Sequence, residues 1–151
     1  MRDVHKDIVG TWRLVRASAT TADGKIERAP FGTGPTGFLI YTVDGTMAAL
    51  ISYGGRSLLS DDRVAAPGEE RAQAFATFFA YAGRYALGDN QVIHHVQLAS
   101  VQNWVGTELV RVLELEGDQL ALRTPPMVVG GSSLITDLLW ERDHGDQPEL
   151  S

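Results

Sequence analysis

The feature that most constrains this chain is its rhythm. Short runs of alternating apolar and polar residues are broken by turn pairs such as Asp23-Gly24, Asp44-Gly45 and Gly117-Asp118. Side chains on a strand point alternately to its two faces, so the pattern fits strands with one buried and one wet face, joined by tight turns. Such runs are predicted at residues 8–19, 25–28, 37–42, 46–53, 84–87, 91–99, 107–116, 119–124 and 134–142, eight or nine strands in all. Many short antiparallel strands favour a barrel or sandwich over a parallel sheet, and closure removes exposed edges. The expectation is an all-β, closed antiparallel barrel, whose interior at about eight strands just holds one small ligand.

One segment has a different period. Residues 67–81 put Phe75, Phe78, Phe79 and, one step beyond, Ala82 at helical spacing, with Glu69 and Glu70 where a helix dipole favours acids and Pro67 suited to a first turn. A helix is therefore predicted there, laid across the barrel's mouth or flank. The chain reads as a single domain, 1–151, with 143–151 as a flexible polar tail.

The charge balance excludes several partners. A net charge of −6, with 13 scattered Lys and Arg, is wrong for nucleic acid or an anionic membrane. Without cysteine there are no disulfides, thiolate nucleophiles or Cys-based metal sites. No apolar run nears the ~20 residues of a membrane span, and the opening MRDVHKDIVG lacks the apolar stretch of a secretory leader, so a cytoplasmic location is expected. His94 and His95 point to opposite faces, and His5 and His144 lie near the ends, so no metal site is expected. Gly32, Gly34 and Gly37 spell GxGxxG, but Pro35 interrupts the motif and a strand follows instead of the helix that would hold a pyrophosphate. We read that segment as a loop at the barrel mouth and expect no cofactor. Ser132 and Ser133 complete no nucleophile elbow, and the adjacent Asp61 and Asp62 suit a turn near a helix start better than an acid–base pair.

Alternation assigns the faces. Leu109, Leu113 and Leu115 share a face with Arg111; Val92, Val96 and Leu98 share one with His94; Met47, Ala49, Ile51 and Tyr53 form one face of their run. Taking the Arg111 and His94 faces as inward gives an apolar interior with a few isolated polar groups, the usual make-up of a small-molecule pocket. An inward guanidinium cannot shed its charge. It needs an internal salt bridge, an aromatic ring to stack on, or a ligand carboxylate, enolate or carbonyl, and the sequence leaves these open. His94 is either a satisfied core residue or a proton shuttle. Tyr81 and Tyr85 either pack with satisfied hydroxyls or touch a ligand. The candidate ligand contacts are Tyr41, Met47, Ile51, Tyr53 and Tyr81, together with Tyr85, Trp104, Leu109 and Leu113; the candidate catalytic pair is His94 and Arg111.

These residues also carry a resemblance. Gly10-Thr11-Trp12, the run from Phe38 to Thr42 before Asp44-Gly45, and Tyr81-Ala82-Gly83-Arg84-Tyr85 occur in a familiar order. So do Val92-Ile93-His94-His95-Val96, Asn103-Trp104-Val105-Gly106-Thr107, Arg111 and Leu139-Trp140-Glu141-Arg142. Over nearly its whole length the chain resembles the bacterial and fungal lipocalin-like domain family. One departure is Gln102, where similar chains tend to have proline. The resemblance implies a calycin-type barrel in which Trp12 closes one end with a late arginine on its ring, for which Arg142 is the candidate. It also implies either a carrier or, in biosynthetic settings, a cofactor-free cyclase or isomerase of polyketide-like or terpenoid-like intermediates. The first expectation is thus a barrel gripping an apolar molecule with a carbonyl or carboxylate near Arg111. The second is a cyclase or isomerase in which Arg111 or a tyrosine polarises a carbonyl and His94 moves a proton. The third is an interaction module without a cavity. Scattered surface apolar residues leave a homodimer open.

Overall fold

Pairing of the first long strand with the last closes the sheet on itself. The computed structural model describes residues 4–145, and its strands are β1 (Gly10–Thr21), β2 (Ile26–Glu27), β3 (Thr36–Tyr41), β4 (Thr46–Ser52), β5 (Phe78–Gly88), β6 (Gln91–Ala99), β7 (Glu108–Glu116), β8 (Gln119–Arg123), β9 (Met127–Val129) and β10 (Ser132–Arg142). The closed circuit runs β1-β3-β4-β5-β6-β7-β8-β10 and back to β1, all antiparallel, and the short β2 and β9 are added beside β1 and β10. The β3–β4 hairpin turns at Asp44-Gly45, where Gly45 has a positive φ of 93° that a side chain would resist. Among the described residues two α-helices accompany the barrel, α1 (Val4–Ile8) and α2 (Gly68–Ala76), with a short 3-10 turn at Gln102–Trp104. Among the described residues no helix is long and apolar enough to cross a membrane.

Several boundaries differ from the sequence reading, each for a physical reason. The predicted helix stops at Ala76, and Phe78 to Tyr81 open β5. Phe and Tyr are good strand formers, and pairing with β4 from Ser52↔Phe78 to Thr46↔Arg84 satisfies their backbone groups better than another helical turn. Ile8, expected to begin the first strand, ends α1, and Gly10 at φ 135° turns the chain into β1. The short β9 lies outside the runs that alternation predicts as strands.

Simple alternation places Leu98 on the inward face with His94, but it is largely exposed. The β5–β6 register steps from Gly83↔Val96 to Ala82↔Leu98, so Gln97 is an extra residue and the parity of the strand reverses beyond it. A Cβ at Gly83 would lie 1.9 Å from the His95 carbonyl oxygen; only glycine lets the strands approach there.

The two barrel ends are built differently. At one, Ile8, Trp12, Tyr41 and Met47 are buried. Trp12 Nε1 donates to the Ile8 carbonyl at 2.9 Å, and the Arg142 guanidinium sits 4.3 Å from the Trp12 ring centroid. Arg142 also donates to the Val9 carbonyl at 2.9 Å and to that of Asp7, and pairs with Asp118 at 3.3 Å. Past β10, Asp143 accepts from Arg13 at 3.0 Å and His144 lies 3.2 Å from Asp118. The rest of the expected tail, and the His5 side chain, fall outside the described residues. The other end carries the loop 28–35, α2 and the turn before β7, and it opens inward.

Candidate functional site

The barrel is hollow towards the α2 end, with a cavity of about 270 Å3. That lies just below the usual range for drug-sized pockets and suits a ligand of one or two rings. The lining is mostly apolar: Leu39 from β3, Ala49 and Ile51 from β4, Leu109 from β7, Leu122 from β8 and Leu138 from β10. Phe75 and Ala76 bring α2 to the mouth, and Phe31 comes from the loop holding the glycine motif. That loop is pinned where Gly54 N–H donates to the Phe31 carbonyl at 3.1 Å, and Gly32 and Gly34 both take positive φ. Its glycines shape a rim.

Aromatic rings form a chain from rim to floor. Phe31 lies 5.0 Å from Tyr53 and 5.7 Å from Phe79; Phe79 meets Trp104 edge-on at 5.7 Å, and Trp104 meets Tyr81 edge-on at 6.0 Å. Such T-shaped pairs bring a positive ring edge to a negative ring face and hold one another in place. Beyond Tyr81 come His94 at 5.6 Å, Tyr41 at 5.7 Å from His94, and Tyr85 at 4.7 Å from Tyr41.

The polar centre lies where this chain reaches the floor. His94, 1% exposed, has a hydroxyl on each ring nitrogen: Tyr41 at 2.6 Å from Nε2 and Tyr81 at 2.8 Å from Nδ1. Burial, then the nearby Arg111 charge, then His95, push its pKa from 6.5 down to about 3, so the ring is neutral. Burial raises both tyrosines, Tyr41 well above its ordinary value, while the Arg111 charge pulls each back in part.

A neutral imidazole has one N–H and one acceptor nitrogen. The fully buried Tyr41 hydroxyl has no partner but Nε2 among the described residues, so its proton goes there. The imidazole proton is then on Nδ1 and is donated to the Tyr81 oxygen. The Tyr81 proton is left for the cavity that Tyr81 lines.

Arg111 completes the centre. It is 8% exposed and pairs with Val92 in the β6–β7 register, two residues along from His94. It donates to the Val110 carbonyl at 3.0 Å, and its charge acts on the nearby Tyr81 hydroxyl, partly offsetting the rise that burial causes there. No carboxylate forms an ion pair with it among the described residues; those on the same strand point outward, Glu108 meeting His95 at 3.3 Å. Most of its five donors are therefore available to the cavity. The Trp140 indole N–H, on a residue that also lines the cavity, is buried with no hydrogen-bond partner among the described residues.

Of the residues singled out from sequence, the structure gathers Ile51, Tyr53, Tyr81, Trp104, Leu109, His94 and Arg111 around the cavity. Tyr41, Met47, Tyr85 and Leu113 are buried but do not line it; they pack between the cavity and the closed end. Tyr85 spends its hydroxyl on the Thr42 carbonyl at 2.7 Å. Sequence reasoning missed Phe31, Phe79, Leu39 and Trp140. Leu39 shares the Tyr41 face by simple alternation and was within reach. Phe79 was hidden by the helical reading, and Phe31 sits in a loop without periodicity.

The lipocalin-like domain family matches residues 9–143. Among curated proteins, the 4'-hydroxy-3'-methoxypropiophenone carrier protein ppsC of Aspergillus oryzae is 36% identical over 83 residues, which cover 49% of this chain and 75% of that protein. No solved structure matches.

Proposed function

This chain belongs to the lipocalin-like domain family, and on that premise we propose that it binds a small, largely apolar molecule carrying an oxygen acceptor, a carbonyl or carboxylate, inside the barrel. The observation that carries this reading is Arg111, a buried cation facing an apolar cavity with no carboxylate to neutralise it among the described residues. Leaving a guanidinium so placed is costly unless something accepts its hydrogen bonds. A ligand oxygen between Arg111 and the Tyr81 hydroxyl would do so, while its carbon skeleton lay against Leu109, Leu138 and the rings of Phe79 and Trp104. The relative's name supports the same class, since a propiophenone is an aryl ketone. At roughly 0.5 kcal/mol per heavy atom, a ligand of about a dozen atoms would bind near −6 kcal/mol, a Kd of tens of micromolar.

The site supports holding a ligand better than turning one over. With both nitrogens engaged and a pKa near 3, His94 is a poor base at neutral pH. A cyclase or isomerase would have to work by Tyr81 and Arg111 polarising a carbonyl. Incubation with a flexible polyketide-like ketone, analysed for a rearranged product that vanishes in Arg111→Gln, tests that second reading.

Titration of tryptophan fluorescence tests the first, because Trp104 and Trp140 line the cavity. Propiophenone should bind at least tenfold more tightly than propylbenzene, which lacks the oxygen, and Ala49→Leu, which fills the cavity, should abolish both signals. Equal affinities, or binding that survives Ala49→Leu, would count against the site.

A further inference from the structure

We propose that the cavity takes a conjugated, weakly acidic ligand, a phenol or enol joined through its π-system to a carbonyl, in its ionised form. This rests on the binding reading above and adds the charge state of the ligand. Arg111 stands without a carboxylate counter-ion among the described residues. A neutral ketone satisfies its hydrogen bonds but leaves its charge unpaired in an apolar enclosure, whereas an anion satisfies both. In a phenol conjugated to a ketone, loss of the hydroxyl proton places negative charge on the carbonyl oxygen as well. An oxygen held by Arg111 and Tyr81 would therefore draw the acid–base equilibrium at the far hydroxyl towards the anion.

The other groups around the site do not oppose this. β3 contributes Tyr41 and β5 Tyr81, both neutral, the latter with its proton directed to the ligand. β6 contributes His94, neutral and hydrogen-bonded on both nitrogens, and β4 contributes Tyr53 at the rim. β8 and β10 present Leu122, Thr136, Leu138 and Trp140, none of which titrates. Arg111 is the sole formal charge among the lining residues. The O–H bond breaks heterolytically, the electron pair stays on the ligand, and the proton leaves to bulk buffer, since His94 does not take it. The flat, ring-lined passage past Phe31, Phe79 and Trp104 suits a planar conjugated ligand.

The experiment compares 4-hydroxyacetophenone with its methyl ether 4-methoxyacetophenone, which cannot ionise. Binding of each is followed by tryptophan fluorescence, and ionisation of the first by its red-shifted phenolate absorption across a pH series. We expect both to bind, and the bound phenol to ionise roughly one to three pH units below the free one, the range for an acid facing an opposite charge. Calorimetry in buffers of different ionisation enthalpy should show up to one proton released for the phenol and none for the ether. Arg111→Gln should remove the spectral shift from whatever phenol still binds and should weaken the ether as well, because its carbonyl uses the same guanidinium; the two wild-type titrations stand even if that variant does not fold. A bound phenol that ionises at or above the free pH, with the ether binding normally, overturns this inference alone. Failure of both ligands to bind overturns the binding reading and this inference with it.

Discussion

The Tyr41 hydroxyl lies 2.6 Å from Nε2 of His94, on the side of the ring away from the cavity that His94 helps to line. Because Tyr41 has no other outlet for its proton among the described residues, this contact fixes the tautomer of His94 and, through it, the direction in which Tyr81 donates. Tyr41→Phe should therefore do two things. It should lower stability by about 1–3 kcal/mol, the usual cost of a buried polar atom left without its partner, as read by urea denaturation. It should also disturb the tautomer: long-range 1H–15N spectra of the wild type should show His94 protonated on Nδ1, and the variant should lose that single form. A wild-type ring protonated on Nε2 would refute the hydrogen-bond order described above.

The buried imidazole makes the protein sensitive to mild acid. In the unfolded chain His94 takes up a proton near its ordinary 6.5; in the fold it resists until about 3. Between those values unfolding consumes a proton, so stability falls as pH falls, by about 1.4 kcal/mol per pH unit at most. Exposed carboxylates held low by hydrogen bonds, such as Asp44 by Thr42 and Asp143 by Arg13, add their own loss at lower pH. Comparison with His94→Gln separates the two effects. Urea unfolding at pH 7, 6, 5 and 4 should show the wild type losing stability between pH 6 and 4 more steeply than the variant. Parallel curves would mean that His94 charges in the fold more readily than its burial implies.

Much of this arrangement was legible beforehand, and the misses share a cause. Strand count, the Asp44-Gly45 hairpin and the inward faces of Arg111 and His94 follow from a period of two, which local sequence carries directly. Leu98 and the start of β5 do not, because each is decided by a partner strand: a bulge opposite Gly83 reverses the parity, and β4 recruits Phe78 and Phe79 out of a helical pattern. The partners of Arg111 were equally illegible. Whether an inward arginine meets a carboxylate depends on residues from other strands, and only the folded barrel shows that none is supplied among the described residues. The same holds for Tyr41, whose hydroxyl reaches a histidine 53 residues further along the chain.

Gly83 offers a test of that bulge. Since a Cβ there would fall 1.9 Å from the His95 carbonyl and 3.0 Å from the Gln97 nitrogen, both backbone atoms, no side-chain rotation can make room. Gly83→Ala should cost more than about 3 kcal/mol, among the large effects of single substitutions, or leave the chain unfolded. Gly88→Ala serves as the control, because nothing lies within 4 Å of its added carbon and it should shift the urea midpoint only slightly. Similar losses in the two variants would rule out the close approach as the reason for glycine at 83.

Arg142 closes the barrel at the end away from the cavity, and its loss should separate stability from binding. Its guanidinium lies 4.3 Å from the Trp12 ring centroid while donating to the carbonyls of Val9 and Asp7, so one side chain holds α1 and the start of β1 against the end of β10. A cation over tryptophan contributes about 0.5–2 kcal/mol, and each hydrogen bond from a charged donor about 1.5–3 kcal/mol before non-additivity. Arg142→Met should therefore lower unfolding free energy by about 3 kcal/mol. Arg142→Lys, which keeps the charge but not the planar fork that reaches two carbonyls at once, should recover only part of it. Neither substitution touches a residue lining the cavity, so propiophenone affinity, measured well below the melting temperature, should stay within about twofold of wild type. A large loss of affinity in the folded Arg142→Lys protein would mean that the closed end and the cavity are mechanically coupled, and that the ring chain from Tyr85 through Tyr41 to His94 transmits strain rather than merely filling space.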